Sequence, residues 1–211
     1  MTEYPSINTI WKRDMDNKGR IIEGSFATPE LEYLAPCDWE FTEKVDGTNV
    51  RVIWDGEKVE FHGRTDNAQM PVFLYRRLEE MFRTPEMTAK LSAQFAGAAI
   101  LYGEGFGAKI QKGGGNYKPD GVDFVLFDVL VGSWWLKSED VTDVGFKLDI
   151  QQVPIIGRGS LGYACAMVQH GIRSQWGDFA AEGLVLRPLV PLFSRKGERI
   201  ITKIKTRDYQ S

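Results

Sequence analysis

The chain has 211 residues and a formal net charge of −3, with 43% hydrophobic and 26% charged residues. This composition is typical of a globular protein, and the length is enough to bury a substantial core. No segment is long and apolar enough to span a bilayer, and the first residues lack a secretory pattern, so we expect a cytoplasmic protein without membrane functions. The two cysteines, Cys37 and Cys165, form no metal or disulfide motif, and we expect both to be buried.

The first half of the chain predicts a hairpin followed by two helices. Apolar and polar residues alternate over 48–54, and Asp55-Gly56 is a two-residue turn that leads into a second strand at 57–61. Residues 72–82 carry apolar side chains at helical spacing. Thr84 followed by proline is typical of a helix start, which predicts a second helix to about residue 96.

The second half returns to strand patterns. Residues 98–105 and 122–131 are short runs rich in branched and aromatic side chains, and they predict strands of a central sheet. Residues 139–173 predict a helix, a short strand and another helix, and two further strands follow at 181–188 and 198–205. We expect one α+β domain over residues 1–211, with antiparallel β-sheets and flanking helices.

The motif with most chemical content is Lys44-Val45-Asp46-Gly47-Thr48-Asn49. We expect Lys44 just before a strand, with Asp46 on the same strand face. Such a motif occurs by chance in many unrelated chains, so alone it carries little weight. Five further motifs follow it in order: Gly63-Arg64-Thr65, Tyr102-Gly103-Glu104-Gly105, Phe124 through Asp128, Glu182-Gly183-Leu184-Val185 and Lys203-Ile204-Lys205.

In this order, the motifs resemble the covalent nucleotidyltransferase superfamily of ATP-dependent ligases and RNA capping enzymes. The resemblance spans about Glu43 to Lys205 and is greatest to RNA ligases of the type 2 class, including phage-type members. DNA ligases typically carry arginine five residues beyond the nucleophile, where this chain has Asn49. DNA ligases and capping enzymes also carry an OB domain after the last lysine motif, and we expect no C-terminal OB or RNA-binding domain after Lys205.

The resemblance implies a role for each motif residue. Lys44 would be the nucleophile that becomes adenylylated, and Lys203 and Lys205 would line the triphosphate pocket, where positive charge disfavours a further ammonium group. The implied catalytic set is Lys44, Lys203, Lys205 and Glu182. The implied nucleotide contacts are Glu43, Lys44, Val45, Asn49, Arg64, Glu104, Phe127, Glu182, Lys203 and Lys205. Asp46, Glu104 and Glu182 would hold Mg²⁺ or Mn²⁺, largely through water.

Two choices within these motifs rest on the resemblance. Phe127, rather than Phe124, would be the ring on which adenine stacks. Arg64 would contact the AMP phosphate or an incoming 5′-phosphate, with Thr65 a weaker candidate. The glycine-rich stretch 103–115 lacks the Gly-Lys-Ser/Thr ending of a P-loop. We interpret glycines 113–115 as a mobile loop, with Lys109, Lys112 and Lys118 available to RNA phosphates.

The sequence therefore predicts an ATP-dependent RNA ligase that joins RNA 3′-OH and 5′-phosphate ends through lysyl-AMP and RNA-adenylate intermediates. ATP and Mg²⁺ or Mn²⁺ are the expected cofactors, RNA is the expected partner, and we expect neither a membrane nor an obligate protein partner. Three alternatives stay open: a minimal ATP-dependent DNA ligase, a capping-type guanylyltransferase and a silent nucleic-acid-binding module.

Overall fold

The computed structural model of the protein describes residues 2–210 and contains twelve strands, six α-helices and one 3₁₀ helix within them. In chain order these are β1 (Asn8–Thr9), β2 (Trp11–Asp14), β3 (Arg20–Phe26), α1 (Pro29–Leu34), β4 (Trp39–Glu43), β5 (Thr48–Trp54), β6 (Val59–His62), α2 (Val72–Phe82), α3 (Pro85–Gln94), β7 (Ala99–Gly107), α4 (Gly114–Tyr117), β8 (Val122–Val131), β9 (Trp134–Trp135), α5 (Ser138–Leu148), β10 (Ile155–Gly159), α6 (Leu161–His170), β11 (Gly183–Pro188), β12 (Thr202–Lys205) and the 3₁₀ helix Thr206–Tyr209.

The chain forms two compact units, which we name by their place in the sequence. The central unit comprises Met1–Tyr4 and Asp46–Val153, and the flanking unit comprises Pro5–Val45 and Pro154–Ser211. Each unit has its own five-stranded sheet. Within residues 2–210, no helix is long and apolar enough to cross a membrane.

The sheet of the central unit is antiparallel, with strand order β6-β5-β7-β8-β9. Strand residues alternate between the two faces of a sheet, so each face has its own composition. On β5, Val50, Val52 and Trp54 are buried in a core that helices α2, α3 and α5 complete. The alternate residues Asn49, Arg51 and Ile53 therefore lie on the other face.

The sheet of the flanking unit has strand order β1-β12-β11-β4-β10 and is antiparallel except for the β1–β12 pair. Helix α6 places Leu161, Ala164 and Val168 in a core with Trp39 and Phe41 of β4. Strands β2 and β3 form a separate two-stranded hairpin.

The expected α+β class with antiparallel sheets is confirmed. The hairpin at β5–β6 and helices α2 and α3 begin or end within a few residues of the predicted positions, and the Thr84 hydroxyl caps α3 by accepting a hydrogen bond from the Met87 amide at 3.1 Å. Strands β1 to β4 and helix α1 were not predicted. Most residues of β3 are exposed, so that strand carries little of the alternation that reveals a strand buried on one face.

Two local expectations were wrong. Glycines 113–115 do not form a loop, because Gly114 and Gly115 begin helix α4. The chain on either side of this helix is joined by a hydrogen bond from the Ala108 amide to the Lys118 carbonyl at 3.0 Å. Cys165 is buried as expected, but Cys37 is exposed.

Helix α2 is tied to β8 by an ion pair that predicts how stability depends on pH. Arg77 of α2 lies 3.1 Å from the Asp123 carboxylate, and Lys118 lies 2.5 Å from it. Burial alone would raise the pKa of Asp123, but the hydrogen bonds from Lys118 and Arg77 outweigh burial and lower it. Ionised Asp123 therefore stabilises the fold above the pKa of the unfolded carboxyl group, and this contribution is lost as pH falls through the lower folded pKa.

We expect Asp123→Asn to lower the free energy of unfolding by about 1 kcal/mol at pH 7, and this difference to shrink below about pH 4. Urea unfolding of both proteins between pH 7 and pH 3 measures it. Asp143→Asn is the matched control, because Asp143 forms an exposed ion pair with Lys147 within α5. A deficit in Asp123→Asn that does not change with pH would contradict the assignment.

Candidate active site

A single carboxylate in the flanking unit joins two of the predicted lysines. Glu182 Oε2 lies 2.7 Å from Lys44 Nζ, and its Oε1 lies 2.7 Å from Lys205 Nζ. The three side chains are 21%, 18% and 16% exposed, so they are largely buried but open to solvent on one side. Two ammonium groups and one carboxylate leave a net positive charge, which favours a bound phosphate.

The sheet explains why these side chains meet although they are far apart in sequence. Strand β11 lies between β4 and β12, and Glu43 pairs with Leu184 while Gly183 pairs with Lys205. The Lys44 amide donates a hydrogen bond to the Gly183 carbonyl at 2.9 Å. The end of β4, the start of β11 and the end of β12 therefore lie side by side.

Gly183 makes this close approach possible. Its φ of +153° is rarely adopted by residues with a side chain, and a Cβ at this position would lie 2.1 Å from the Ile204 carbonyl oxygen. Any larger residue would push β11 away from β12. The glycine after Glu182 therefore keeps Glu182 within reach of Lys205.

Lys203 lies on the same strand as Lys205. It precedes Lys205 by two residues on β12, so the two side chains share a face of the sheet, and both are partly exposed. The neighbouring positions Thr202 and Ile204 are buried. The flanking unit thus brings Lys44, Glu182 and Lys205 into direct contact and places Lys203 on the same face as Lys205.

The side chains of Glu43 and Val45 are enclosed rather than open. Glu43 is 1% exposed, and its carboxylate accepts hydrogen bonds from Ser174 Oγ at 2.5 Å and the Gln175 amide at 2.8 Å. Val45 is 4% exposed. Glu43 therefore holds the segment that leads into Glu182, a positioning function that motif reading missed because its partners are about 130 residues away.

Asn49 and Glu104 are directly opposite each other in the central unit, on adjacent strands β5 and β7. Side chains at such positions are neighbours on one face. Both lie on the face opposite the core. The Asn49 Oδ1 atom is buried and accepts no hydrogen bond from any residue within 2–210. Because burying an unsatisfied acceptor is costly, this atom suits a ligand that donates a hydrogen bond, such as a ribose hydroxyl.

The two candidate phenylalanines of β8 are in different environments. Phe124 is 1% exposed and belongs to the core. Phe127 is partly exposed and lies at the irregularity of the β7–β8 ladder, where Gly103 pairs with Leu126 and Tyr102 with Asp128. A bulge of this kind re-aims a side chain. The Tyr4 ring packs edge-on to Phe127 with 5.0 Å between centroids, which orients the ring.

Residues 44–47 form a connection between β4 and β5, so the expectation that Lys44 and Asp46 share a strand face is wrong. The connection closes onto β7: a Cβ on Gly47 would lie 2.3 Å from the Gly105 carbonyl oxygen and 2.7 Å from Glu104 Cγ. The motif requires glycine here because the chain touches the strand that carries Glu104.

The three predicted metal-binding carboxylates do not all belong to the same unit. Asp46 and Glu104 belong to the central unit and Glu182 to the flanking unit. Among residues 2–210, no group of three or more His, Cys, Asp or Glu side chains could hold a metal ion. Magnesium keeps several waters and takes few protein oxygens, so isolated carboxylates fit a hydrated ion better than a tightly coordinated one.

Arg51 is a buried cation that the motifs did not single out. It is 0% exposed, donates from Nε to the Gly63 carbonyl at 2.8 Å, and lies 2.7 Å from Asp66 Oδ1. Its Nη1 atom is buried and makes no hydrogen bond within residues 2–210. Arg51 thereby holds the loop that carries Arg64 and Thr65. In the sequence, an arginine between Val50 and Val52 of a predicted strand was the feature that could have drawn attention to Arg51.

The lysines expected to contact RNA differ in how free their charge is. Lys118 is paired with Asp123, so much of its charge is already neutralised. Lys109 and Lys112 are exposed. No observation in the structure tests their role, which stays a prediction.

Comparison of structures identifies the fold as that of RNA ligases. Structures of Naegleria gruberi RNA ligase match with TM-scores of 0.68 for a mutant with ATP and manganese, 0.67 for a complex with pyrophosphate, and 0.67 for a mutant with AMP and manganese. Identities are 20%, 21% and 19%, and each match covers 99% of this chain but only 58%, 59% and 59% of the other. The chain thus spans less than two thirds of these relatives.

A model of the RNA ligase family matches residues 38–205, so the chain belongs to the RNA ligase family. A search of curated proteins found no significant match. The matched range includes every motif from Lys44 to Lys205.

The contact of Gly47 with β7 predicts the effect of adding a single methyl group. Gly47→Ala should destabilise the protein by about 1 to 3 kcal/mol through overpacking, because the connection has to move away from β7. Thermal unfolding measures the effect. Gly97→Ala is the matched control, because a Cβ there would meet no atom within 4 Å. Equal behaviour of the two variants would contradict the interpretation.

Proposed function

We propose that this chain is an ATP-dependent RNA ligase in which Lys44 is the nucleophile. The observation that carries the proposal is the contact of Glu182 with both Lys44 and Lys205, at 2.7 Å each, in a chain of the RNA ligase family. The relatives of the same fold were solved with ATP, AMP, pyrophosphate and manganese, which supports ATP and a divalent ion for this chain.

The proposed reaction has three steps. Neutral Lys44 Nζ attacks the α-phosphorus of ATP, forms a phosphorus–nitrogen bond and releases pyrophosphate, and the amine loses a proton to solvent. An RNA 5′-phosphate oxygen then attacks the same phosphorus, the phosphorus–nitrogen bond breaks, Lys44 Nζ takes up a proton as it leaves, and RNA-adenylate forms. Finally an RNA 3′-hydroxyl attacks the 5′-phosphate, forms the phosphodiester bond and releases AMP and a proton.

The residues of the flanking unit would act by positioning and charge. Glu182 holds Lys44 Nζ in one place, which restricts the amine before attack. Lys203 and Lys205 would neutralise the charge that accumulates on phosphate oxygens during transfer. A bound divalent ion would add positive charge to those oxygens, and Asp46, Glu104 and Glu182 would hold it largely through water.

The residues of the central unit would bind the nucleoside and phosphate. Asn49 Oδ1, which lacks a partner within the described residues, would accept a hydrogen bond from a ribose hydroxyl, and Glu104 beside it would share that task. Phe127 would stack on adenine, an interaction of about 1 to 3 kcal/mol per base. Arg64 would contact the AMP phosphate or the RNA 5′-phosphate, for which its planar donors are suited.

Several finer expectations remain predictions. These are the type 2 or phage-type subclass, a single domain over 1–211, the cytoplasmic location and the absence of an obligate protein partner. The choice among a nick in duplex RNA, a broken tRNA loop and a single-stranded end also requires ligation assays on those three substrates.

The nucleophile is tested by incubation with α-labelled ATP and magnesium, followed by denaturing electrophoresis. We expect covalent label on the wild type, none with γ-labelled ATP, and none on Lys44→Ala. Glu182→Gln should reduce labelling about 100-fold, because both lysines lose their charged partner. Lys147→Ala, an exposed lysine of α5, is the matched control and should label normally. Label retained by Lys44→Ala would refute the nucleophile, and label from GTP would instead favour a capping-type enzyme.

The role of Arg51 and Asp66 is tested through Arg64. The hydrogen bond from Arg51 lowers the pKa of Asp66, whose side chain is 54% exposed and can be replaced without opening the core. We expect Asp66→Ala to slow sealing about tenfold, and to have no further effect when Arg64→Ala is already present, because both act through one loop. Asp143→Ala is the control. Additive losses in the double variant would show that Asp66 does not act through Arg64.

A further inference from the structure

The flanking unit contains a cavity of about 470 Å³ outside the lysine and glutamate contacts of the candidate site. The turn between β2 and β3 provides one wall, and the 3₁₀ helix that follows β12 provides the other. The lining residues are Arg13, Lys18, Gly19, Arg20, Ile21, Arg207, Asp208, Tyr209 and Gln210. Four of these nine are cations and one is an anion, although the whole chain has a net charge of −3.

One of the four cations is neutralised and serves to fix the walls. Arg13 donates to the Gly19 carbonyl at 2.8 Å and to Asp208 Oδ1 at 2.8 Å. The Asp208 side chain is only 3% exposed, so its carboxylate is shielded from solvent, while the Arg13 side chain is 33% exposed. Arg13 therefore links the β2–β3 hairpin to the 3₁₀ helix, and the cavity has a fixed shape before any ligand binds.

The other three cations, Lys18, Arg20 and Arg207, are exposed and form no side-chain hydrogen bond or ion pair within residues 2–210. Asp14 pairs with Arg20 across the hairpin, but its carboxylate accepts hydrogen bonds from the amides of Asp16 and Asn17 instead. Three like charges around one concave surface repel each other unless an anion joins them. Their arrangement therefore points to a ligand with several negative charges.

The cavity is joined to the candidate site through the backbone. The Lys205 amide donates a hydrogen bond to Asp208 Oδ2 at 3.0 Å, and the 3₁₀ helix begins at the residue after Lys205. The carboxylate that Arg13 binds is thus the same one that fixes the end of β12, where Lys205 meets Glu182. A polyanion in the cavity would lie on the segment that directly continues the lysine motif.

We propose that this cavity binds the phosphate backbone of the RNA strand that the ligase seals. Separate cations on a wide concave surface suit successive phosphates, which position a nucleic acid without reading its sequence. The inference rests on the proposed function, because RNA is the polyanion that a ligase of this family would hold. It assigns substrate grip to residues outside every motif that resembles the nucleotidyltransferases.

The test measures binding of a fluorescent single-stranded RNA by anisotropy over a series of salt concentrations. Each phosphate contact on a single strand contributes about 0.7 to the slope of log affinity against log salt, which is about fivefold in affinity at 0.1 M salt. We expect Lys18→Ala, Arg20→Ala and Arg207→Ala each to weaken binding about fivefold, and the triple variant to lower the slope by about 2. Label from α-labelled ATP should be unchanged in all four variants.

Lys12→Ala is the matched control, because Lys12 is exposed on β2 next to Arg13 but does not line the cavity. It should bind RNA as the wild type does. Unchanged affinity and slope in the triple variant would overturn the proposal, and so would an equal loss in Lys12→Ala. Loss of labelling in a folded triple variant would instead assign the cavity to the nucleotide. A wild type that labels on Lys44 and binds RNA, together with a triple variant that binds RNA equally well, would refute this inference alone, whereas no labelling would refute the proposed function.

Discussion

The bridge that Glu182 makes between Lys44 and Lys205 is the contact on which the candidate site depends. A carboxylate with an ammonium group at 2.7 Å on each oxygen is held from both sides, and each lysine is held by one of its oxygens. The bridge needs β4, β11 and β12 in one register, and Gly183 permits that register because no other residue fits beneath the Ile204 carbonyl. Glu43 adds a second constraint, because its buried carboxylate binds Ser174 and Gln175 in the segment that leads to Glu182.

In the central unit, one face of the sheet stabilises the fold and the other face carries the polar residues of the candidate site. Val50, Val52 and Trp54 stabilise the fold through burial of apolar area, whereas Asn49 and Arg51, at alternate positions of the same strand, face the other way. The polar face retains buried atoms without partners, Asn49 Oδ1 and Arg51 Nη1, within the part of the chain that is described. Such atoms lower the free energy of unfolding unless a ligand forms hydrogen bonds with them. The polar face therefore destabilises the protein, and the apolar core on the other face compensates for it.

Much of this could be predicted from the sequence where the signal is local. The alternation at β5, the Thr84 cap of α3 and the residues of each motif lie within a few consecutive positions, whereas the ion pair of Lys44 with Glu182 joins two distant motifs and was not predicted. The roles of Glu43 and Arg51 could not be predicted in this way, because Glu43 meets Ser174 only once β4 and β11 have paired. Strand β3 was missed for a different reason, since a mostly exposed strand has no buried face to reveal its period.

Electrostatics in this protein depends on which cations are neutralised rather than on how many there are. Lys118 and Arg13 look equivalent to Lys18 and Arg207 in the sequence, yet Asp123 and Asp208 neutralise the first two and leave the last two without a partner in the described residues. A phosphate gains less from a cation whose charge a carboxylate already balances, because any new contact competes with the old one. The cluster at Glu182 differs, since one carboxylate is shared by two lysines and a positive charge remains. A surface that binds a polyanion is therefore one where cations remain after those neutralised by a carboxylate have been set aside. Although the chain has a net charge of −3, the cavity beside the 3₁₀ helix meets this condition, because Lys18, Arg20 and Arg207 line one concave surface.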